Sequence, residues 1–259
     1  MSEAFRYSLL VSLMVWLTAC QSLPAGVSSV QATWRYGQYS IPGRYTLDGA
    51  DKTYEPIAGD VPDWTTVAGA DIKPGSKMPV VLYMHGCAGI GRQALLYRKL
   101  LLAEGYAVFM PDSFARPGRR RCGDEGPLYQ RVPLRKQEIG YAYKHLKRLP
   151  WIDQSRLVLM GFSEGGNAVD NWAKAGFRAE IITGSACTLV GGKPAAPDGV
   201  AVLAVVGSQD RYRPGKSCKI TRTVGGSRSV VIPGANHEVA GYAQTRNAIR
   251  SFLRSCCVN

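Results

Sequence analysis

The feature that most constrains this chain is residues 161–166, with the sequence Gly-Phe-Ser-Glu-Gly-Gly, which separate two segments of different character. Residues 157–160 before it form an apolar run typical of a strand buried on both faces of a parallel sheet. Residues 167–174 after it suit a helix. A serine on a glycine-flanked turn between a strand and a helix is the pattern of a nucleophile elbow, which presents the Ser163 hydroxyl above the sheet. The alternative is a glycine-rich turn with a capping serine.

Apolar runs of strand length alternate with helical segments along the chain. Strands are predicted at residues 80–84, 106–110, 157–160, 179–183, 201–206 and 229–232, and helices at residues 92–103, 133–149 and 240–254. This alternation predicts an α/β fold with a mostly parallel central sheet and helices on both faces. Residues 30–78 are predicted to form edge strands and loops, with strands at residues 33–36 and 45–47.

The first twenty residues predict export. Arg6 precedes an uncharged apolar run at residues 9–17, which is too short to span a bilayer and has the form of a signal peptide. Residues 17–20, Leu-Thr-Ala-Cys, resemble the lipobox of bacterial lipoproteins, in which the cysteine is lipidated. The alternative is an ordinary secretory signal with an incidental Cys20. Gln21 after the cysteine favours the periplasmic side of the outer membrane.

The domain organisation follows from this leader. Residues 1–19 are predicted as a lipoprotein signal peptide, residues 20–29 as a tether anchored to the membrane through Cys20, and residues 30–259 as a single domain. The net charge of +13 favours anionic surfaces such as lipid head groups. No nucleic-acid-binding motif is present, so no nucleic acid is expected as a partner.

Besides Cys20 the chain has six cysteines. An even number in an exported chain predicts disulfides, and the sequence alone permits about fifteen full pairings. The alternative is a set of reduced, buried cysteines.

Three histidines are candidates for the base that would activate Ser163. His237 follows the last predicted strand and precedes the last helix, at the same sheet edge as the serine turn, and is the predicted base. The alternative for His237 is a capping or surface-loop role. His145 falls in the middle of a helix, and His85 lies in a loop after an early strand.

The acid of a triad should also follow a strand. Asp210 comes just after the strand at residues 201–206, whereas Asp198 precedes that strand and Glu238 adjoins the histidine. Asp210 is therefore the predicted acid, the alternative being an Asx-turn residue. The resulting chain order of serine, aspartate and histidine is that of α/β-hydrolases.

A tetrahedral oxyanion requires two preset donors. The backbone N–H of Glu164, directly after the serine, is one candidate. The other should come from the loop after the earlier strand, at Cys87 or Ala88. His85 is then predicted to organise this loop. This chemistry needs no metal and no cofactor.

Several motifs together resemble the dienelactone hydrolase family. They are residues 85–89 (His-Gly-Cys-Ala-Gly), residues 111–114 (Pro-Asp-Ser-Phe), the serine turn, Asp210 and His237. The resemblance covers residues 79–252 and implies an α/β-hydrolase fold without a large lid, acting on a small ester or lactone. The family's best-known members carry a cysteine nucleophile, whereas this chain has serine, which argues against a dienelactone substrate and retains ester hydrolysis.

The implied fold also suggests disulfides. The loops of Cys87 and Cys122 would leave neighbouring strands, so these two are expected to pair, and Cys187 is expected to pair with Cys218 around the acid loop. Residues 256–257, both cysteine, are left open because a bridge between adjacent residues is strained.

An arginine-rich loop is expected to crowd the rim of the substrate pocket. Arg116 and Arg119, with Arg120 and Arg121, suit either a substrate carboxylate or phosphate or an anionic membrane, and both remain open.

The sequence thus predicts an exported, membrane-anchored, serine-dependent hydrolase of small carboxylic esters or lactones. The alternatives are a peptidase or deacylase of cell-envelope polymers and a catalytically silent lipoprotein that binds anionic polymers.

Overall fold

A computed structural model of the chain describes residues 28–56, 68–123, 126–212 and 215–257. The predicted signal peptide, Cys20 and nearly all of the predicted tether lie outside the described residues. Within the described part of the chain, no helix is long and apolar enough to cross a membrane.

One sheet of eight strands forms the centre of the described residues. The strands are β1 (Gln38–Ile41), β2 (Lys52–Tyr54), β3 (Met78–Met84), β4 (Ala107–Met110), β5 (Ile152–Phe162), β6 (Ala179–Thr183), β7 (Ala201–Gly207) and β8 (Arg228–Ile232). Their order is β2-β1-β4-β3-β5-β6-β7-β8. Strands β3 to β8 pair in parallel, and β1 is antiparallel to both β2 and β4. The predicted mostly parallel sheet is confirmed.

Helices cover both faces of this sheet. They are α1 (Ser29–Arg35), α2 (Arg92–Ala103), α3 (Leu128–Leu146), α4 (Glu164–Asp170) and α5 (Ala243–Cys257). One apolar core lies under α1, α3 and α4, and a second lies under α2 and α5. Along β3, Leu82 enters the first core and Tyr83 the second. Because both faces of the central strands are buried, their sequences are continuous apolar runs.

The predicted N-terminal strand at residues 33–36 is wrong. These residues end α1, which begins after Ser28, whose Oγ accepts a hydrogen bond from the N–H of Gln31. Trp34 is buried, with its ring centroid 4.4 Å from that of Phe109. This packing outweighs the strand propensity of Thr33-Trp34, because propensity is a weak preference compared with burial.

Other elements also differ from their predicted bounds. The predicted strand at residues 45–47 is a short 3₁₀ turn followed by a single bridge between Thr46 and Ile72. Helix α3 begins at Leu128 rather than Pro133, so the proline lies inside the helix, where it removes one backbone hydrogen bond. Helix α4 ends at Asp170, earlier than the sequence suggested.

Candidate active site

Ser163 lies between β5 and α4 on a strained turn, with φ of 55° and ψ of −116°. The neighbouring glycines allow the backbones to approach closely. A Cβ on Gly161 would lie 2.3 Å from the carbonyl oxygen of Gly165, and a Cβ on Gly165 would lie 2.0 Å from that of Met84. Any other residue at these positions would push α4 away from the sheet, so the glycine-flanked turn has the geometry that the sequence predicted.

Three side chains that are distant in sequence form one hydrogen-bonded chain. The Nε2 atom of His237 lies 2.9 Å from the Oγ of Ser163, and its Nδ1 lies 2.7 Å from Oδ2 of Asp210. Asp210 is fully buried, and its other carboxylate oxygen accepts a hydrogen bond from the N–H of Tyr212 at 2.9 Å. With Nδ1 protonated toward the carboxylate, Nε2 is able to accept the serine proton.

The ends of β7 and β8 bring the aspartate and the histidine together. Both strands are parallel neighbours, so their carboxyl ends lie at one edge of the sheet. A Cβ on Gly207 would lie 2.1 Å from the carbonyl oxygen of Asn236, which shows how closely the two loops pack. The rings of Phe162 and Tyr212, at 5.0 and 4.7 Å, flank the imidazole of His237 and restrict its tilt.

Two backbone N–H groups are available as oxyanion donors. Those of Cys87 and Glu164 have no hydrogen-bond acceptor among the described residues. The Cys87 loop lies against the serine, because a Cβ on Gly86 would be 3.4 Å from the Cβ of Ser163. The two predicted donors therefore come from the loop after β3 and from the first residue of α4.

His85 organises the first of these loops. It is fully buried, its Nε2 accepts a hydrogen bond from the N–H of Ser113 at 3.1 Å, and its Nδ1 lies 2.7 Å from the carbonyl oxygen of Gly86. Burial and then the nearby Arg135 charge lower the pKa of His85 well below its usual value. The ring is therefore neutral, and both of its nitrogens are engaged by the backbone.

A cavity of about 510 Å³ opens at the serine. Its walls include the loop after β3, the start of α3, the loop after β6 and the histidine loop; residues among them are Gly86, Cys87, Arg131, Ser185, Tyr212 and His237. This volume suits a small ligand.

A model of the dienelactone hydrolase family matches residues 66–222 of this chain. The chain belongs to the dienelactone hydrolase family. Membership places it among ester and lactone hydrolases, and confirms the resemblance found in the sequence.

Several solved structures resemble this chain at low sequence identity. Est1E from Butyrivibrio proteoclasticus with ferulic acid bound is 18% identical, with a TM-score of 0.50 over 70% of this chain and 90% of that chain. The Bacillus cereus carboxylesterase is 15% identical, covering 69% of this chain and 89% of that chain at a TM-score of 0.49. The Pyrobaculum calidifontis esterase is 16% identical, and the match covers 71% of this chain and 78% of that chain at a TM-score of 0.49. No curated protein sequence matches this chain. The family match and the mostly parallel eight-stranded sheet confirm the predicted α/β-hydrolase fold.

Disulfides of this dienelactone hydrolase family member link the loops around the serine. Cys87 is bonded to Cys122, and Cys187 to Cys218, as the implied fold suggested. Residues 256–257, which the sequence left open, are bonded to each other. The first bridge lines the cavity, the second follows the cavity residues Ser185 and Ala186, and the third lies at the end of α5.

The arginine-rich loop does not contribute Arg116 or Arg119 to the cavity wall. Both guanidinium groups are buried in ion pairs: Arg116 Nε lies 2.8 Å from Oε1 of Glu138, and Arg119 pairs with the carboxylate of Glu164. The expectation that these two residues bind a substrate anion or face a membrane is therefore corrected. Their charge is directed at glutamates because a nearby cation offsets the desolvation cost of a buried carboxylate.

These pairs belong to a larger cluster on what we name the oxyanion-side wall, which comprises residues 85–89, Cys122, Glu164 and the first half of α3. Arg131 also pairs with Glu164, and Arg135 Nε lies 3.6 Å from the same carboxylate. Arg135 donates to Oε2 of Glu138 and to the carbonyl oxygen of His85, both at 2.7 Å. The cluster therefore connects the residue after the serine to the loop that carries the second oxyanion donor.

Sequence reasoning missed Arg131, Arg135 and Glu138 as parts of the site. Their spacing of four and then three residues places them on one face of α3. The signal in the sequence was this stripe of charged residues beside the apolar positions of the helix. Ionised side chains are buried there only when they are paired, so the stripe could have predicted buried ion pairs.

The opposite side, which we name the β6-side wall, comprises residues 184–187, Asp170 and Cys218. Ser185 Oγ donates to Oδ2 of Asp170 at 2.5 Å, and Nδ2 of Asn171 donates to Oδ1 at 2.5 Å. Burial raises the pKa of Asp170 to about 7. Its carboxylate lies within 4.8 Å of the sulfurs of Cys187 and Cys218, but disulfide sulfurs are not the thiolates that bind metals.

Proposed function

We propose that this chain is a serine-dependent hydrolase of small carboxylic esters or lactones that acts through an acyl-enzyme. The observation that supports it most is the hydrogen-bonded chain from Ser163 through His237 to Asp210, with both links under 3 Å. Beside it lie two N–H groups that have no acceptor in the part of the chain that the structure describes. Nucleophile, base, orienting acid and oxyanion donors are thereby present at one point of the cavity.

The chemistry follows from these positions. His237 Nε2 takes the proton of Ser163 as the hydroxyl oxygen attacks the carbonyl carbon, and the negative charge passes to the carbonyl oxygen between the N–H groups of Cys87 and Glu164. The imidazolium, stabilised by Asp210, then returns the proton to the departing alkoxide, which leaves as the alcohol. Water, deprotonated by the same imidazole, attacks the acyl-enzyme and releases the acid and the free serine.

The same proposal includes export and attachment to a membrane through a lipidated Cys20. Its support is the leader pattern at residues 1–20 together with the predicted tether, which leads directly into α1. Lipidation by several acyl chains provides stable attachment, whereas a single chain does not.

The mechanism is tested by Ser163→Ala. We expect kcat/KM on short p-nitrophenyl esters to fall by a factor of at least about 10³, because the nucleophile is removed while the fold remains. Ser155→Ala is the matched control, since Ser155 lies exposed at the opposite end of the same strand. Circular dichroism and thermal melting should match wild type in both variants.

The outcome that contradicts the mechanism is retention of most of the activity by Ser163→Ala. A panel of ester, lactone and amide substrates then separates a small-ester hydrolase from a peptidase or deacylase. Failure of a fluorophosphonate probe to label Ser163 in the wild-type chain would favour a catalytically silent protein.

Anchoring is tested in a bacterial cell by expressing the full chain and Cys20→Ser. The wild type should yield a mature N-terminal peptide that begins at residue 20 and carries the mass of its acyl groups, because lipidation precedes cleavage at a lipobox. The variant should yield no such peptide. An unmodified mature N-terminus at any other position would indicate an ordinary secretory signal instead.

A further inference from the structure

A second depression of about 710 Å³ lies outside the active site, on the face covered by α1, α3 and α4. It is lined by Val30 of α1, by one side of α3, by the residues that follow α4 and by Leu189. We call this depression the lysine groove. None of the residues that serve the proposed mechanism lines it.

The lysine groove combines an apolar surface with positive charge. Tyr129 and Leu189 on its edge are 65% and 42% exposed, and Trp172 forms part of its buried floor. Three lysines border it, at positions 136, 144 and 174, and no lining residue is acidic. Among the described residues none of these lysines has a carboxylate partner. The groove therefore suits a partner that is both anionic and amphipathic.

The position of the groove narrows the choice of partner. Val30, the second residue of α1, lines the groove, so the described chain enters the fold at this place. Residues 21–29 separate Val30 from Cys20, and the ten steps from one residue to the other reach at most about 36 Å when fully extended. If Cys20 is the anchor, as the proposed function has it, the groove cannot lie farther than this from the lipid surface, and the tether keeps it there at high effective concentration.

We propose that the lysine groove is a docking surface for an anionic lipid bilayer. The ammonium groups of the three lysines meet lipid phosphates, while Tyr129 and Leu189 enter the interfacial region. Each lysine near an anionic surface contributes about 1 kcal/mol, and amphipathic rings favour the head-group level. A soluble acidic protein would match the charge but has no tether that presents it to this face.

Docking there has a consequence for the active site. The first two turns of α3 separate the two depressions: Leu128 and Arg131 line the cavity at Ser163, whereas Tyr129 and Pro133 line the lysine groove. Contact of the groove with a bilayer would therefore hold the mouth of the cavity beside the lipid surface. Esters that partition into that surface would reach the serine over a short path.

The test uses the full-length mature protein reconstituted in vesicles. Acetylation by a water-soluble reagent is measured by mass spectrometry at each lysine, in zwitterionic vesicles, in vesicles with about 30% phosphatidylglycerol, and in detergent. We expect acetylation at positions 136, 144 and 174 to slow severalfold only in the anionic vesicles, and the slowing to disappear in 0.5 M salt because screening removes the attraction. Exposed lysines away from the groove, at positions 99, 216 and 219, serve as internal controls.

A matched pair of variants sharpens the result. The triple variant Lys136→Gln, Lys144→Gln, Lys174→Gln should lose the slowing of amide hydrogen exchange over residues 128–136 that anionic vesicles produce. The triple variant Lys99→Gln, Lys216→Gln, Lys219→Gln, with the same change in net charge, should keep it. Both should hydrolyse a short soluble ester at the wild-type rate, which shows that they fold.

Equal acetylation of groove and control lysines in anionic vesicles would overturn the docking proposal. Protection in detergent accompanied by a dimer in sedimentation would also overturn it, in favour of a second copy of the chain. A chain that does not float with zwitterionic vesicles lacks the anchor, and docking is then supported only if added anionic vesicles still protect the three groove lysines.

Discussion

The two walls beside Ser163 have similar parts and differ in how they balance a buried carboxylate. Each wall has a disulfide and a buried acid close to the serine turn: Glu164 on the oxyanion-side wall and Asp170 on the β6-side wall. The carboxylate of Glu164 lies in ion pairs with arginines, whereas Asp170 has only hydroxyl and amide donors within the described ranges of the chain. Burial without a cation raises the pKa of Asp170 to about 7.

This difference indicates which wall would contribute directly to the proposed mechanism. The oxyanion-side wall carries both candidate N–H donors, and its arginines bring positive charge toward the place where negative charge would develop. The β6-side wall mainly shapes the cavity, through Ser185 and Ala186. The two walls should therefore respond differently to matched perturbations.

The largest effect is expected from removing the bridges. The bonded cysteines are 35 residues apart for Cys87–Cys122 and 31 for Cys187–Cys218, so each bridge should stabilise the fold by about 4 kcal/mol on chain-entropy grounds. Replacing either pair by alanine should lower the free energy of unfolding by a similar amount. Only loss of the first bridge should also lower kcat, by about tenfold, because it releases the loop of an oxyanion donor.

The control is the alanine double variant of residues 256–257, whose bridge joins adjacent positions and closes almost no loop. Urea denaturation should show a much smaller loss there. Equal falls in kcat for the first two bridge variants, measured well below their melting temperatures, would contradict the distinction between the walls.

Glu164→Gln should have the next largest effect. It removes the buried carboxylate charge that Arg119 and Arg131 contact, so we expect a loss of about 3 kcal/mol or more in the free energy of unfolding. Glu238→Gln is the matched control on the cavity rim, because Glu238 is exposed and accepts a hydrogen bond only from Gln93 among the described residues. Chemical denaturation of both variants measures the difference, and comparable small losses would show that the arginine cluster contributes little.

The smallest effect concerns pH and Asp170. The pKa of Asp170 is raised from 3.8 to about 7. Between about pH 4 and 7 the folded state therefore keeps a proton that the unfolded state has already released. The penalty from this carboxyl is therefore absent below about pH 4, grows across that range and is complete above it. Asp170→Asn lacks the penalty. The difference between its melting temperature and that of wild type should therefore grow by several degrees, in favour of the variant, as the pH rises across the same range.

Thermal melts from pH 4 to 8 measure this difference. Asp48→Asn is the control, because hydrogen bonding by Lys52 lowers the pKa of Asp48 to about 2, which places its titration below the range. A constant difference between Asp170→Asn and wild type over the whole range would show that Asp170 does not keep its proton in the folded protein.

Most of the sheet was predictable because its signals are local. The apolar runs at β3, β6 and β7 identified buried strands, and the bounds of α2 were predicted at Arg92 and Ala103, as observed. The prediction for the N-terminal segment was wrong for the opposite reason. Trp34 lies in a helix because its ring packs against Phe109 and His145, and such contacts between distant segments leave no local pattern.

The site divides in the same way. Ser163, Asp210 and His237 could be placed at one edge because each follows a parallel strand, and the structure brings all three within hydrogen-bonding distance. Arg116 and Arg119 were misplaced because a long flexible side chain pairs with whichever carboxylate the fold brings near it. Those carboxylates, Glu138 and Glu164, come from separate helices.

The sequence by itself determined the order of the candidate catalytic residues along the chain. A serine on a turn between glycines comes first, and an acid and a base follow later strands. Steric demands of glycine and the period of apolar residues act over a few positions, so they are visible in a single chain. Only the tertiary structure decided which charges are paired, which acid is buried without a cation and where the lysine groove lies. Those outcomes depend on electrostatic and packing energies between segments that the fold, and not the sequence neighbourhood, brings into contact.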